Sequence, residues 1–184
     1  MRVTRLGLLG GLLWLATACA ALRGRPAPWA LPPVADAPFR GRWVQMLELE
    51  RGGKRLPLLA VLEADGQKMV LVGLSPSGQR LLRITWAGHQ VAADQDPSVP
   101  GKIEAEPILR DVVLANWPED ALKSALAGSP WTVDFDGPRR SLRRGAAVWV
   151  TVAPEPGAGE DAVLVDHKVE GYRVHVHTVE RSEP

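Results

Sequence analysis

The chain has 184 residues, 46% of them hydrophobic and 23% charged, which is typical of a single globular domain. Its 22 basic and 21 acidic residues give a net charge of +1. We therefore expect no nucleic-acid partner, because such a partner requires clustered positive charge. The single cysteine, Cys19, excludes an intramolecular disulfide bond.

The first 18 residues have the pattern of an export signal. Arg2 and Arg5 precede an apolar stretch at residues 6–15, and small residues at 16–18 lead directly to Cys19. The apolar stretch is too short for a permanent membrane-spanning helix. Small residues followed by cysteine resemble the bacterial lipobox, which implies cleavage before Cys19 and lipidation of its thiol. The alternative is an ordinary secretory peptide ending at Ala18, which would leave a free thiol.

The residue after the cysteine bears on the membrane that would receive the lipid. Aspartate at this position retains enterobacterial lipoproteins in the inner membrane, whereas this chain has Ala20. We therefore expect attachment to the outer membrane, with the protein facing the periplasm.

The mature chain divides into three parts by composition. Residues 19–38 are rich in proline, which removes amide donors and favours extended backbone, so we predict a tether. Residues 39–180 form the predicted domain, and residues 181–184 form a polar tail. We expect the protein to be a monomer.

The first half of the domain reads as a β-meander. Strands are predicted at 41–50, 56–64, 68–74, 79–86 and 89–93, with a hairpin turn at Asp65-Gly66. Helical periodicity follows at 106–117 and 118–126, separated by Pro118. Five further strands are predicted at 131–135, 141–144, 146–153, 162–169 and 172–180. This order predicts an α+β fold in which a curved antiparallel sheet has a two-helix cover.

The central strands of the first meander are apolar on both faces. An antiparallel sheet with one wet face would alternate between apolar and polar residues, and residues 58–62 and 69–74 do not. The pattern fits either a filled two-layer core or a sheet that encloses an apolar cavity. For the second case, the predicted ligand-binding residues are Leu62, Leu71, Leu82 and Ile84.

Besides the signal with Cys19, five segments are distinctive: residues 58–67 (LLAVLEADGQ), 73–82 (GLSPSGQRLL), 109–118 (LRDVVLANWP), 142–144 (LRR) and 171–174 (GYRV). Together they resemble a family of uncharacterised bacterial outer-membrane lipoproteins, often encoded beside genes for aryl-polyene lipid synthesis. That family is similar in layout to the LolA/LolB lipoprotein carriers. The resemblance implies a half-open β-barrel with a helical lid that holds acyl chains.

Two histidines alternate on the last predicted strand, so both face the same side. A pair such as His175 and His177 can bind zinc when a third ligand is near. A two-residue turn at 170–171 would place Asp166 opposite His175 and Leu164 opposite His177. Polar residues on a solvated strand face explain the pattern equally well, so we predict no metal site and no cofactor.

The sequence contains no pattern that requires an enzyme. His167 falls on an apolar face, where histidine is more often a core residue than a catalyst. There is no phosphate-binding glycine loop and no dinucleotide fingerprint. We predict no catalytic residues.

The leading hypothesis is an outer-membrane lipoprotein that binds a hydrophobic or acylated ligand and assists its transfer or localisation. Its partners would be the membrane, through the N-terminal lipid, and that ligand. The rival hypothesis is an envelope structural or interaction lipoprotein with a filled core and no ligand. A metal-assisted hydrolase using His175 and His177 is a third hypothesis with less support.

Overall fold

The computed structural model describes residues 28–183, which form ten β-strands and two α-helices. Each predicted strand and helix is found, with ends that differ by only a few residues. Cys19 and the rest of the predicted signal lie outside the described residues. The elements are β1 (Gly41–Arg51), β2 (Lys54–Ala64), β3 (Lys68–Leu74), β4 (Arg80–Ala87), β5 (Gln90–Gln95), α1 (Ala105–Asn116), α2 (Glu119–Leu126), β6 (Trp131–Asp136), β7 (Arg139–Arg144), β8 (Ala147–Pro154), β9 (Ala162–His167) and β10 (Tyr172–Ser182).

All ten strands belong to one antiparallel sheet with the order β5-β4-β3-β2-β1-β10-β9-β8-β7-β6. Each half is a meander, and the pairing of β1 with β10 joins the two halves at the centre. Among the described strands, β5 and β6 are the edges, and the sheet is not closed or strongly curled. The predicted α+β class, with two short helices packed against an antiparallel sheet, is therefore confirmed.

The helices connect the two edge strands and cover one face of the sheet. Leu109 and Val113 of α1 are fully buried, as is Leu122 of α2, because their helical spacing places them towards the sheet. Helix α1 ends at Asn116, and Pro118 directly precedes α2. Proline has no backbone N–H to donate within a helix, so it is tolerated at this boundary but would interrupt a continuous helix. Within residues 28–183, no helix combines the length and apolarity needed to cross a membrane.

Part of the predicted tether is packed onto the domain. Trp29, Val34 and Ala37 are buried in the same core as the sheet. The guanidinium Nε of Arg110 on α1 donates a hydrogen bond of 3.0 Å to the Trp29 carbonyl oxygen. The packed part of the chain therefore reaches back at least to Trp29, and β10 extends at the other end to Ser182.

The predicted register of the last hairpin was wrong by two residues. His167 pairs with Tyr172, so the loop contains four residues, 168–171, instead of two. Leu164 therefore lies opposite His175, and Asp166 lies opposite Arg173. A shift by two residues keeps every side chain on its predicted face. His167 thus remains on the apolar face.

Arg140 links the sheet to the end of α1. Its Nη1 donates hydrogen bonds to the carbonyl oxygens of Leu114 (2.8 Å) and Trp117 (2.7 Å). The last carbonyls of a helix have no intrahelical donor, and a cation is favoured at this negative end of the helix dipole. A single side chain of β7 therefore fixes the C-terminal end of α1 against the sheet.

We expect Arg140→Met to lower the free energy of unfolding by about 2–3 kcal/mol, because two charge-assisted hydrogen bonds are lost while the aliphatic packing is kept. Urea unfolding measures this change as a lower midpoint. Arg139→Met is the matched control, because Arg139 is exposed on the same strand. Equal midpoints for the two variants would contradict the role assigned to Arg140.

Candidate binding cavity

An open cavity of about 500 Å³ lies beside α1 and the loop that precedes it. Its walls come from both ends of the sheet, since β5 contributes on one side and β6 to β10 on the other. A volume of this size is within the range of small-molecule sites. The apolar lining comprises Pro28, Trp29, Val91, Ala93, Ile103, Ala105, Pro107, Leu114, Trp131, Leu142, Trp149 and Val150.

The loop before α1 is held in place by one side chain of β5. Gln95 Nε2 donates hydrogen bonds to the carbonyl oxygens of Val99 (3.0 Å) and Gly101 (2.6 Å). Its Oε1 accepts a hydrogen bond of 2.8 Å from the Ile103 backbone N–H. These three bonds satisfy the whole amide group and position residues 102–104 at the cavity.

A polar pair lies in the otherwise apolar wall. His167 Nε2 of β9 is 3.0 Å from Asp111 Oδ2 of α1. The imidazole also stacks on the Tyr172 ring, with 4.0 Å between ring centroids. His167 is thus a buried histidine with a partner, as expected for its apolar face, and it holds α1 against β9.

Burial raises the pKa of the Asp111 carboxyl. Although 22% of its side chain remains accessible, the surrounding protein atoms raise the pKa of this carboxyl above 3.8, and the hydrogen bond with His167 opposes that rise. The charge of Glu170 raises the pKa of Asp111 further. The carboxyl is therefore held in an environment that penalises its charge.

The mouth of the cavity carries further charges. Glu104, Glu106 and Glu170 are exposed acids, and Lys102 is an exposed base. Arg110 also lines the cavity, and its Nη2 donates a hydrogen bond of 2.6 Å to Glu106. An apolar interior with a polar, mainly acidic opening suits an amphiphilic molecule.

The four residues predicted to bind a ligand lie elsewhere in the fold. Leu62, Leu71 and Ile84 are neighbours across β2, β3 and β4, and Leu82 is on the same face of β4. All four are buried in the core under the helices, and none lines the cavity beside α1. The structure therefore brings them together, but as part of the layer next to the helices.

Sequence reasoning missed most of the cavity wall. Trp131 and Trp149 belong to this wall, and their rings meet edge to face with 5.2 Å between ring centroids. Asp111 gave a usable signal, since an acidic residue lies beside the apolar stripe of α1. Its partner His167 is 56 positions away, and no local pattern connects the two.

The histidines considered for zinc do not converge. His175 lies between two carboxylates on opposite sides of its ring, with Nδ1 2.6 Å from Glu155 Oε1 and Nε2 3.5 Å from Glu50 Oε2. His177 lies two residues further along β10 and is exposed. Within residues 28–183, no group of three His, Cys, Asp or Glu residues could hold a metal ion.

Comparison with known protein families identifies the family of this chain, and the description of that family names no activity. Residues 42–180 match the model of the family described as "Protein of unknown function (DUF3261)". The chain belongs to this family. No curated protein matches the chain. The expected membership of an uncharacterised family is thus confirmed, and the cavity lies largely within the matched region.

The raised pKa of Asp111 predicts how its replacement changes the pH dependence of stability. The folded state holds this proton at a higher pH than the unfolded state does. The contribution of Asp111 to the free energy of unfolding is therefore greatest at low pH, and it falls as pH rises from about 3.8 through the folded pKa. In Asp111→Asn this decline is absent.

The measurement is urea unfolding of both proteins between pH 3.5 and 8. We expect the wild-type stability minus the variant stability to decrease with pH. A difference that increases with pH would mean that His167 lowers the pKa of Asp111 more than burial raises it, and would contradict the assignment. Asp120→Asn, at an exposed site on α2, controls for the change of charge.

Proposed function

We propose that this protein is an outer-membrane lipoprotein that holds a hydrophobic or acylated ligand in the cavity beside α1. It would assist the transfer or localisation of that ligand in the envelope. The observation that carries the proposal is the cavity itself, an opening of about 500 Å³ with an apolar wall and a polar mouth. Sites of this kind take small apolar ligands and orient them by a few polar groups.

The arrangement of the sheet supports a layout similar to that of the LolA/LolB carriers. β5 and β6 are separated by nine strand spacings of about 4.8 Å, or roughly 43 Å in a flat sheet. Val91 of β5 and Trp131 of β6 nevertheless line the same cavity. This supports a half-open layout in which the helices span between the two ends of a sheet that is neither closed nor strongly curled.

The start of the domain supports an anchored carrier. Pro28 and Trp29 line the cavity and follow Cys19 by nine and ten positions. A fully extended chain spans at most about 3.5 Å per residue, so a lipid on Cys19 would lie within roughly 30 Å of the cavity. A ligand could then pass between the membrane and the cavity over a short distance. Two or more acyl chains would give stable attachment.

We expect Cys19→Ser to move the protein from the membrane to the soluble periplasmic fraction, because the serine hydroxyl cannot take the lipid of a thiol. Residues 16–18 still offer a small-x-small site for ordinary signal cleavage. Fractionation followed by mass measurement of the N-terminus tests this, with Ala21→Ser as the control. Retention of Cys19→Ser in salt-washed membranes would contradict lipid anchoring.

Filling the cavity should abolish ligand binding. Ala93 of β5 lines the cavity, so Ala93→Trp places an indole where the ligand would lie. We expect this variant to bind the apolar fluorophore N-phenylnaphthylamine at least about tenfold more weakly, a loss of about 1.4 kcal/mol. Ala92→Trp is the matched control, because neighbouring residues of a strand point to opposite faces and both alanines are exposed.

The same proteins test for a natural ligand. Mass spectrometry of the native protein is expected to find a co-purified lipid, reduced in Ala93→Trp and retained in Ala92→Trp. Lipid-free protein with equal fluorophore binding by both variants would contradict the carrier. That result would favour an interaction lipoprotein with a filled core, for which the closely packed layer of Leu62, Leu71 and Ile84 is the supporting observation.

A further inference from the structure

We infer that the cavity selects an amphiphile whose polar group is a cation, such as a primary amine, over one that carries a carboxylate. The inference rests on the proposed function, because it names the class of ligand that the apolar cavity would take.

Acidic groups outnumber basic groups in the lining. The four carboxylates are Asp111 in the wall and Glu104, Glu106 and Glu170 at the mouth. The three bases are Lys102, Arg110 and His167, the last of which lies 3.0 Å from Asp111. An incoming cation is attracted by this excess, and an incoming carboxylate is repelled by it.

The one arginine of the lining is already engaged. Arg110 Nε donates to the Trp29 carbonyl oxygen and Nη2 donates to Glu106. Recognition of a carboxylate or phosphate commonly uses the paired donors of a guanidinium fork. In Arg110 these donors hold the N-terminal segment and an acid of the same helix, so they do not form an anion clamp.

The N-terminal end of α1 does not reverse this preference. Ala105 begins the helix and lines the cavity, and the positive end of a helix dipole favours an anion. Glu104 and Glu106 stand on either side of that residue. The protein therefore supplies the negative charge for this helix end itself.

The wall adds two features that suit a cation. Burial raises the pKa of Asp111, so a cation placed beside it would relieve the penalty on its charge. Trp29, Trp131, Trp149 and Tyr172 all contribute to the lining. Aromatic faces attract ammonium groups, and more strongly when water is excluded.

The experiment compares three amphiphiles with the same chain length. The full chain carrying Cys19→Ser is loaded with N-phenylnaphthylamine and titrated at pH 7 and low salt with dodecylamine, dodecanol or dodecanoate, each below its aggregation concentration. We expect half-displacement by dodecylamine at a concentration at least about tenfold lower than by dodecanoate, with dodecanol between them. Salt at 0.5 M should reduce the ratio, because it screens the charges.

Variants locate the origin of the preference. Asp111→Asn and Glu104→Gln are each expected to lower the ratio of dodecanoate to dodecylamine concentrations at least threefold. Because both concentrations are measured on the same variant, a general change in the affinity of the cavity cancels from the ratio. Glu104→Gln keeps the test valid if Asp111→Asn folds poorly. The control is Asp120→Asn, an exposed residue of α2 that does not line the cavity.

The possible failures are distinguishable. Equal displacement by amine and carboxylate, or tighter displacement by the carboxylate, would overturn this inference while leaving an apolar ligand in the cavity. A tenfold preference that neither Asp111→Asn nor Glu104→Gln changes would also overturn it, because the preference would not come from the lining. Failure of all three amphiphiles to displace the fluorophore would overturn the proposed function as well.

Discussion

The pairing of β1 with β10 is the constraint on which the rest of the fold depends. Each half of the sheet is a meander made from local hairpins, and only this pairing unites the halves into one ten-stranded sheet. A buried polar contact lies at its irregular point, where Gln45 Nε2 donates a hydrogen bond of 3.1 Å to Thr178 Oγ1. A slip by one residue would break this bond and expose the apolar set of both strands, so the register is strongly specified.

That central pairing also creates the cavity. The two helices lie between the halves in sequence, so uniting the halves obliges α1 to pack between strands of both. One contact is the Asp111–His167 pair on β9, and another is the support that Gln95 of β5 gives to the loop before α1. The cavity is the space that this single helix leaves between the two ends of the sheet.

Local sequence patterns were sufficient to predict the elements but not the cavity. Alternation, turn residues and the proline at 118 act over a few positions, which is why the strands and helices were found where expected. The contacts of Asp111 with His167 and of Arg140 with Leu114 join residues that are distant in the chain, and their partners depend on strand order. The register error in the last hairpin has a similar cause, because a loop of four residues and a turn of two keep the same alternation.

The apolar character of both strand faces fitted either a filled core or an enclosed cavity. In the structure the two faces of these strands differ in burial. On the helix side, Leu62 and Leu71 are buried and fill the layer beneath α1 and α2. On the opposite side, Leu59 and Val61 are only half-buried, and Met46 is 53% exposed. The pattern that suggested a cavity among the central strands thus arises from a packed layer on one face and a partly exposed surface on the other.

Helix α1 connects the N-terminal segment of the described chain to the cavity. Arg110 binds the carbonyl of Trp29, and the next residue, Asp111, binds His167 in the cavity wall. Because adjacent residues of one rigid helix make these contacts, a displacement of α1 by a ligand acts on both at once. Trp29 and the wall of the cavity are therefore mechanically linked, a link that would serve the proposed carrier in taking its ligand from a membrane.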